Sequence, residues 1–98
     1  MNEVVLLASA DADLQQAFEY YEEIGGGRGG EWLEKIDRAL DQLRVFAESG
    51  SLFEGPYRKL RVPNSSYGIF YAVTGRRVFV KRIADLRQDP EAIRRSLR

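Results

Sequence analysis

The stretch that most constrains this chain runs from Tyr57 to Ile83, YRKLRVPNSSYGIFYAVTGRRVFVKRI. It holds three short runs rich in β-branched and aromatic residues, separated by turn residues, the pattern expected of neighbouring strands. Tyr67, Ile69, Tyr71 and Val73 alternate with Gly68, Phe70, Ala72 and Thr74, a period of two that sends successive side chains to opposite faces. Thr74-Gly75 reverses the chain, because Gly takes the positive φ that tight hairpin turns require. Val78, Val80 and Arg82 then alternate with Arg77, Phe79, Lys81 and Ile83 on the return. Seven Lys or Arg residues and no Asp or Glu fall in this segment. The expected product is a basic antiparallel sheet.

A chain of 98 residues makes one domain, long enough to bury roughly 60–65% of its unfolded surface without staples. It has no Cys and no His. Disulfides, thiolate metal sites and the usual neutral-pH general base are therefore absent, and neither a metal nor a cofactor is expected. No run approaches the roughly 18 apolar residues that span a bilayer, which predicts a cytoplasmic protein. The formal charge of zero hides a polarity. Residues 1–55 carry twelve acids and four bases, whereas residues 56–98 carry three acids and eleven bases. Such asymmetry fits a face that meets an anionic partner, and equally fits acidic helices neutralising basic strands within one fold.

Before the sheet, the apolar run VVLLA reads as a strand covered on both faces and so placed inside the sheet. Ser9 is then a candidate N-cap. Leu14, Ala17, Phe18 and Tyr21 follow at helical spacing. Glu19, Glu22 and Glu23 fall off that stripe and read as a solvated face rather than a metal or acid–base cluster. Gly25, Gly27 and Gly30 formally match G-x-G-x-x-G, but they follow a helix where a phosphate loop follows a strand. They read as the turn of a helical hairpin. On that reading, replacing Gly26 and Gly29 with Ser changes stability by at most about 1 kcal/mol each. A second helix is predicted from about Glu31 to Ala47, striped by Leu33, Ile36, Leu40 and Leu43, with Trp32 as a core anchor. Glu48 to Pro56 reads as a breaker cluster.

After the sheet, Asp89-Pro90-Glu91 is a helix start: Asp caps, Pro is preset for the first turn, and Glu suits the positive end of the dipole. Ile93 and Leu97 give that helix an apolar side, and Arg94, Arg95 and Arg98 complement its C-terminal end. The predicted class is α+β, in the order β-α-α-β-β-β-α, a small antiparallel sheet packed against a helical hairpin.

VVLLASADADLQQAFEYYEE, the glycine-bearing hairpin, WLEKIDRALDQL, YRKLRVP, SYGIFYAV, RRVFVKRI and RQDP together resemble the RelE/ParE superfamily of bacterial type II toxins, across almost the whole chain. The resemblance implies a cognate antitoxin that wraps the toxin, as a hetero-oligomer or alongside a homodimer, and one of two activities. RelE-like members cleave mRNA in the ribosome; ParE-like members poison DNA gyrase without a nuclease centre.

RelE-like cleavage needs fixed cations around the scissile phosphate and a Tyr or His near the C-terminus for proton transfer. Arg58, Lys59 and Arg61 match the basic strand. Yet Tyr67 is followed by Gly68 where an Arg is usual, and IADLRQDPEAIRRSLR contains neither Tyr nor His. Arg82 and Arg87 supply charge but stay protonated. The resemblance therefore implies the ParE-like branch, with mRNA cleavage as the alternative and an inert partner-binding relative as a third reading. The candidate target-binding surface is Arg58, Lys59, Arg61, Arg82 and Arg87. Lys59, Arg61 and Arg82 are expected to project together. Tyr71 is expected in the core, and Tyr67 either there or stacking on a base.

Overall fold

The structure is a computed structural model that describes residues 1–98. Strand β1 (Glu3–Leu6) leads into a hairpin of helices α1 (Ala8–Ile24) and α2 (Arg28–Val45). Strands β2 (Ser51–Glu54), β3 (Tyr57–Arg61), β4 (Tyr67–Thr74) and β5 (Arg77–Asp85) follow, and helix α3 (Pro90–Leu97) closes the chain. The sheet order is β1-β5-β4-β3-β2. β1 runs parallel to β5, and every other pairing is antiparallel.

The α+β class with a helical hairpin on the sheet is as expected, with two corrections to the sheet. First, β2 lies inside the predicted breaker stretch. Gly55, at φ 52°, turns the chain so that Leu52 pairs with Arg58 and Glu54 with Tyr57. Second, β1 is an edge strand, not an interior one. Val4 and Leu6 pack on the core, and the Asn2 amide donates to Arg44 O at 2.8 Å, so the end of α2 shelters a strand that has only one sheet neighbour. The apolar run was covered by a helix, which a strand pattern cannot distinguish from a second strand.

Two helix starts also differ. Leu7, not Ser9, stands at the N-cap of α1 with no side-chain cap, while Ser9 Oγ donates to Lys81 O at 2.6 Å. Helix α2 begins at Arg28, so Gly29 and Gly30 form its first turn. Glu22 Oε1 accepts from the Gly27 and Gly29 amides at 3.1 and 2.9 Å. That carboxylate occupies the positive end of α2, where an anion would otherwise be attracted. Glu22 is thus a cap rather than a solvated bystander.

The close approach makes Gly29 obligatory. A Cβ there would lie 2.8 Å from Phe18 O and 2.6 Å from Glu22 Cγ, whereas one at Gly26 meets nothing within 4 Å. The two replacements are therefore unequal. Gly26→Ser should leave the melting temperature nearly unchanged. Gly29→Ser should lower stability by about 1–3 kcal/mol, the usual cost of overpacking, read from thermal denaturation. Equal melting temperatures for both variants would count against this packing.

The hairpin covers one face of the sheet. Ile36, Ala39, Leu40 and Leu43 of α2 meet Leu60, Ile69, Tyr71, Val78, Val80 and Ile83 in one buried cluster. Tyr71 is wholly buried, and its hydroxyl accepts from the Gly50 amide at 2.9 Å, which satisfies the one polar atom it brings inside. Phe70 faces the other way, where Ile93 and Leu97 of α3 cover it. A register shift lets Phe70 pair with Arg82 while Tyr71 pairs with Val80, so Lys81 is the extra residue of a β-bulge. The bulge falls just past Val80, the last residue of β5 that pairs with β1. The candidate site lies there.

Candidate functional site

The predicted basic residues separate into three groups. Lys59 pairs with Phe70 and Arg61 with Gly68, and directly paired residues share a face, so both belong to the face that α3 covers. Neither forms an ion pair. Lys59 Nζ sits 5.4 Å from the Phe53 ring centroid, and both side chains line a small hollow with Leu86 and Pro90. These are available cations.

Arg58 is committed elsewhere. It shares the other face with Tyr71, and its Nη1 donates to Gly50 O at 2.8 Å, clamping the start of β2 beside the Tyr71–Gly50 bond. Arg82 does pair with Phe70, in the same cross-strand row as Lys59. Its guanidinium, however, reaches Asp13 on α1 through Nε and Nη2, both at 2.8 Å. Arg82 therefore does not project with Lys59 and Arg61. Two arginines at the C-terminal end, Arg94 of α3 and Arg98 just past it, are engaged as well. Arg94 stacks 4.4 Å from the Phe53 centroid, and Arg94 and Arg98 both approach Glu54, at 3.6 and 3.1 Å. They fasten α3 to the edge strand β2.

Arg87 lines a separate cleft of about 460 Å³, bounded by α1, the outer half of β5 and α3. Tyr20, Tyr21 and Tyr67 supply its rings. Tyr21 stacks on buried Trp32 at 5.9 Å, and Tyr67 meets Trp32 edge-on at 5.2 Å. Trp32 is thus the core anchor expected, and Tyr67 lies between core and cleft. Burial, followed by the neighbouring Tyr21 hydroxyl and the Asp85 carboxylate, holds the Tyr67 phenol above its ordinary value. The cleft was not legible beforehand. Tyr20 is off the apolar stripe and 58% exposed, and Asp13 gave no signal beyond a helical position.

Asp85 and Arg87 close on each other. Arg87 Nη2 donates to Asp85 Oδ2 at 2.6 Å, and Nε to Oδ1 at 3.0 Å. This bond from Arg87, ahead of its backbone amide and of Ser66, holds the Asp85 carboxyl below its ordinary value, although burial opposes the shift. A depressed carboxyl adds stability that is complete above the unfolded value, about 3.9, and disappears as pH falls through the folded one. Arg87→Gln should therefore melt slightly earlier than the parent chain at pH 6, and the gap should narrow as pH falls below the unfolded value, about 3.9. A gap that stays the same from pH 6 into that acid range would show that Arg87 acts through packing instead.

Comparison with known proteins follows the fold. The family model described as ParE toxin of type II toxin–antitoxin system, parDE, matches residues 4–90. Among solved structures, a chain of the chromosomal ParDE toxin–antitoxin system from P. aeruginosa superposes with a TM-score of 0.76 at 20% identity, covering 87% of this chain and 96% of that one. At that identity the likeness speaks for the fold. No curated protein matches the chain.

Proposed function

Since the chain belongs to the ParE toxin family of type II toxin–antitoxin systems, we propose that it inhibits DNA gyrase by binding and is neutralised by a cognate antitoxin in the cytoplasm. One observation carries the choice of a binding poison over a nuclease. The row from Lys59 on β3 to Arg82 on β5 passes over Phe70, and that path is filled by Ile93 and Leu97 of α3. A scissile phosphate held between those strands would need that floor open. The cations left on the face, Lys59 and Arg61, stay protonated at neutral pH and so hold an anion without moving a proton. The antitoxin is supported by the ParDE neighbour and by the family's two-component description. No helix is long and apolar enough to cross a membrane.

The test uses the purified chain in two assays. It should block supercoiling of relaxed plasmid by gyrase and leave mRNA intact on translating ribosomes. Codon-specific mRNA fragments would restore the nuclease reading. Inactivity in both assays, with no arrest of growth, would favour an inert relative.

A further inference from the structure

Helix α3 covers only part of the sheet face on which it lies. Val4 and Leu6 of β1, and Val78 and Val80 of β5, pack into the cluster under the hairpin. Val5 and Phe79, which pair with each other, therefore point to the opposite face. Ala72 pairs with Phe79 on its other side. One step along the β3–β4 register from Arg58 and Tyr71, Tyr57 stands opposite Ala72. A row Tyr57–Ala72–Phe79–Val5 thus crosses four strands on the face that carries Lys59 and Arg61. Tyr57 packs against the small cluster of Phe70, Ile93 and Leu97. Val5, Ala72 and Phe79 join neither buried cluster, and each stays half-buried.

A sheet wetted on one side alternates apolar with polar residues. The neighbouring row on this face, Thr74–Arg77–Glu3, obeys that rule. The apolar row does not. Its strand β1 reads as one covered on both faces, and the chain by itself covers only the side under the hairpin. The charges on this face add a direction. Among its strands the acids are Glu3 and Glu54, and both are matched, Glu3 by Arg77 and Glu54 by Arg94 and Arg98. Lys59 and Arg61 have no match. Lys59 stands two residues from Tyr57 on the same strand, at one end of the row. The open face is therefore apolar along its length and positive at that end.

We infer that this row is where the gyrase protein docks, by an amphipathic α-helix with one apolar side and an Asp or Glu at the end that meets Lys59 and Arg61. The row spans three strand spacings, about 14 Å, which a helix covers in about ten residues. Apolar anchors at i, i+4 and i+7 of such a helix reach along it. Ala72, the smallest of the four, leaves a notch between the Tyr57 and Phe79 rings for one of them. The molecule already uses this construction one row away, where Ile93 and Leu97 of α3, at i and i+4, cover Phe70. A nucleic-acid strand fits less well. The two rings stand two strand spacings apart, about 10 Å, and carboxylates lie near both ends of the row, Glu54 paired with Tyr57 and Glu3 two residues from Val5. A helix brings its negative charge to Lys59 and Arg61 alone. The inference rests on the gyrase reading, and its failure is distinguishable from the failure of that reading.

The experiment compares inhibition of supercoiling by the parent chain, by Ala72→Gln, and by Ala72→Gln with Phe79→Ser. Leu52→Ser is the control, since Leu52 pairs with Arg58 and so lies on the other face. The half-inhibitory concentration should rise about tenfold for the single variant and about a hundredfold for the double, as when one or two central anchors are lost. The control should match the parent chain. A melting curve accompanies each variant, and Ala72→Gln decides the matter if the double variant does not fold. Phe79→p-benzoylphenylalanine, irradiated with gyrase and DNA, should crosslink to a helical gyrase peptide that carries Asp or Glu. Inhibition by Ala72→Gln and by a folded double variant at the parent's concentration, even with binding to the antitoxin weakened, would overturn the inference and leave the gyrase reading standing. A crosslink to the DNA, or to a second copy of this chain, would do the same. No inhibition by the parent chain would overturn both.

Discussion

Replacing Lys59 and Arg61 together with Ala is expected to abolish inhibition of gyrase and growth arrest, with the fold intact. On the face that α3 covers, neither has an ion-pair partner, and both line the hollow beside α3. A charge that becomes buried at a protein interface typically contributes 2–5 kcal/mol when its partner is left unpaired. Two such losses exceed a hundredfold in affinity, since each 1.4 kcal/mol is tenfold. The folded chain gives up little. Lys59 loses a cation–π contact with Phe53 of about 0.5–1 kcal/mol, and Arg61 is exposed, where substitution usually stays within about 0.5 kcal/mol. The measurement is the concentration that half-inhibits supercoiling, beside a melting curve. Full inhibition by the double variant would move the target-binding surface off this face.

Arg82 is left out of that variant for a reason that yields the second large effect. Asp13→Ala removes two charge-assisted bonds to Arg82 and the acceptor of the Ile83 amide, on a residue only 2% exposed. An orphaned buried amide costs about 1–3 kcal/mol. The ion pair adds less than a fully buried one would, because the Arg82 side chain is 33% exposed. A total of about 2–4 kcal/mol follows, which for a domain of this size lowers the melting temperature by on the order of 10–20 °C. Asp13→Asn should recover part of it, since its carbonyl can still accept from the Ile83 amide. A melting temperature for Asp13→Ala within 3 °C of the parent chain would mean that the outer edge of β5 does not need α1 to close it.

Much of the sheet was written locally. Alternation from Tyr67 to Thr74 and the Thr74-Gly75 turn dictate a hairpin by steric rules that act over a few residues, and Asp89-Pro90-Glu91 starts a helix wherever it stands. Asp89 Oδ1 does accept from the Glu91 amide, at 3.1 Å. The separation of Lys59 and Arg61 from Leu60 and Val62 was equally legible, because side chains in a strand must alternate. Trp32 and Tyr71 were readable as core from size and apolar periodicity.

Other features depended on residues far apart in the chain. SLFE pairs as a strand where the Gly55 turn folds it back on β3 and where Arg58 and Tyr71 hold Gly50 from β3 and β4. Gly29 became indispensable because Phe18 and Glu22 of α1 press on it. Arg82 and Asp13 are 69 positions apart, and no local rule links a strand arginine to one helical aspartate among several. The sequence by itself determined every element but β2, the two-faced sheet and the basic character of one face. Tertiary structure alone decided which cations stay free, because a guanidinium goes to whichever carboxylate or carbonyl the packing brings within about 3 Å.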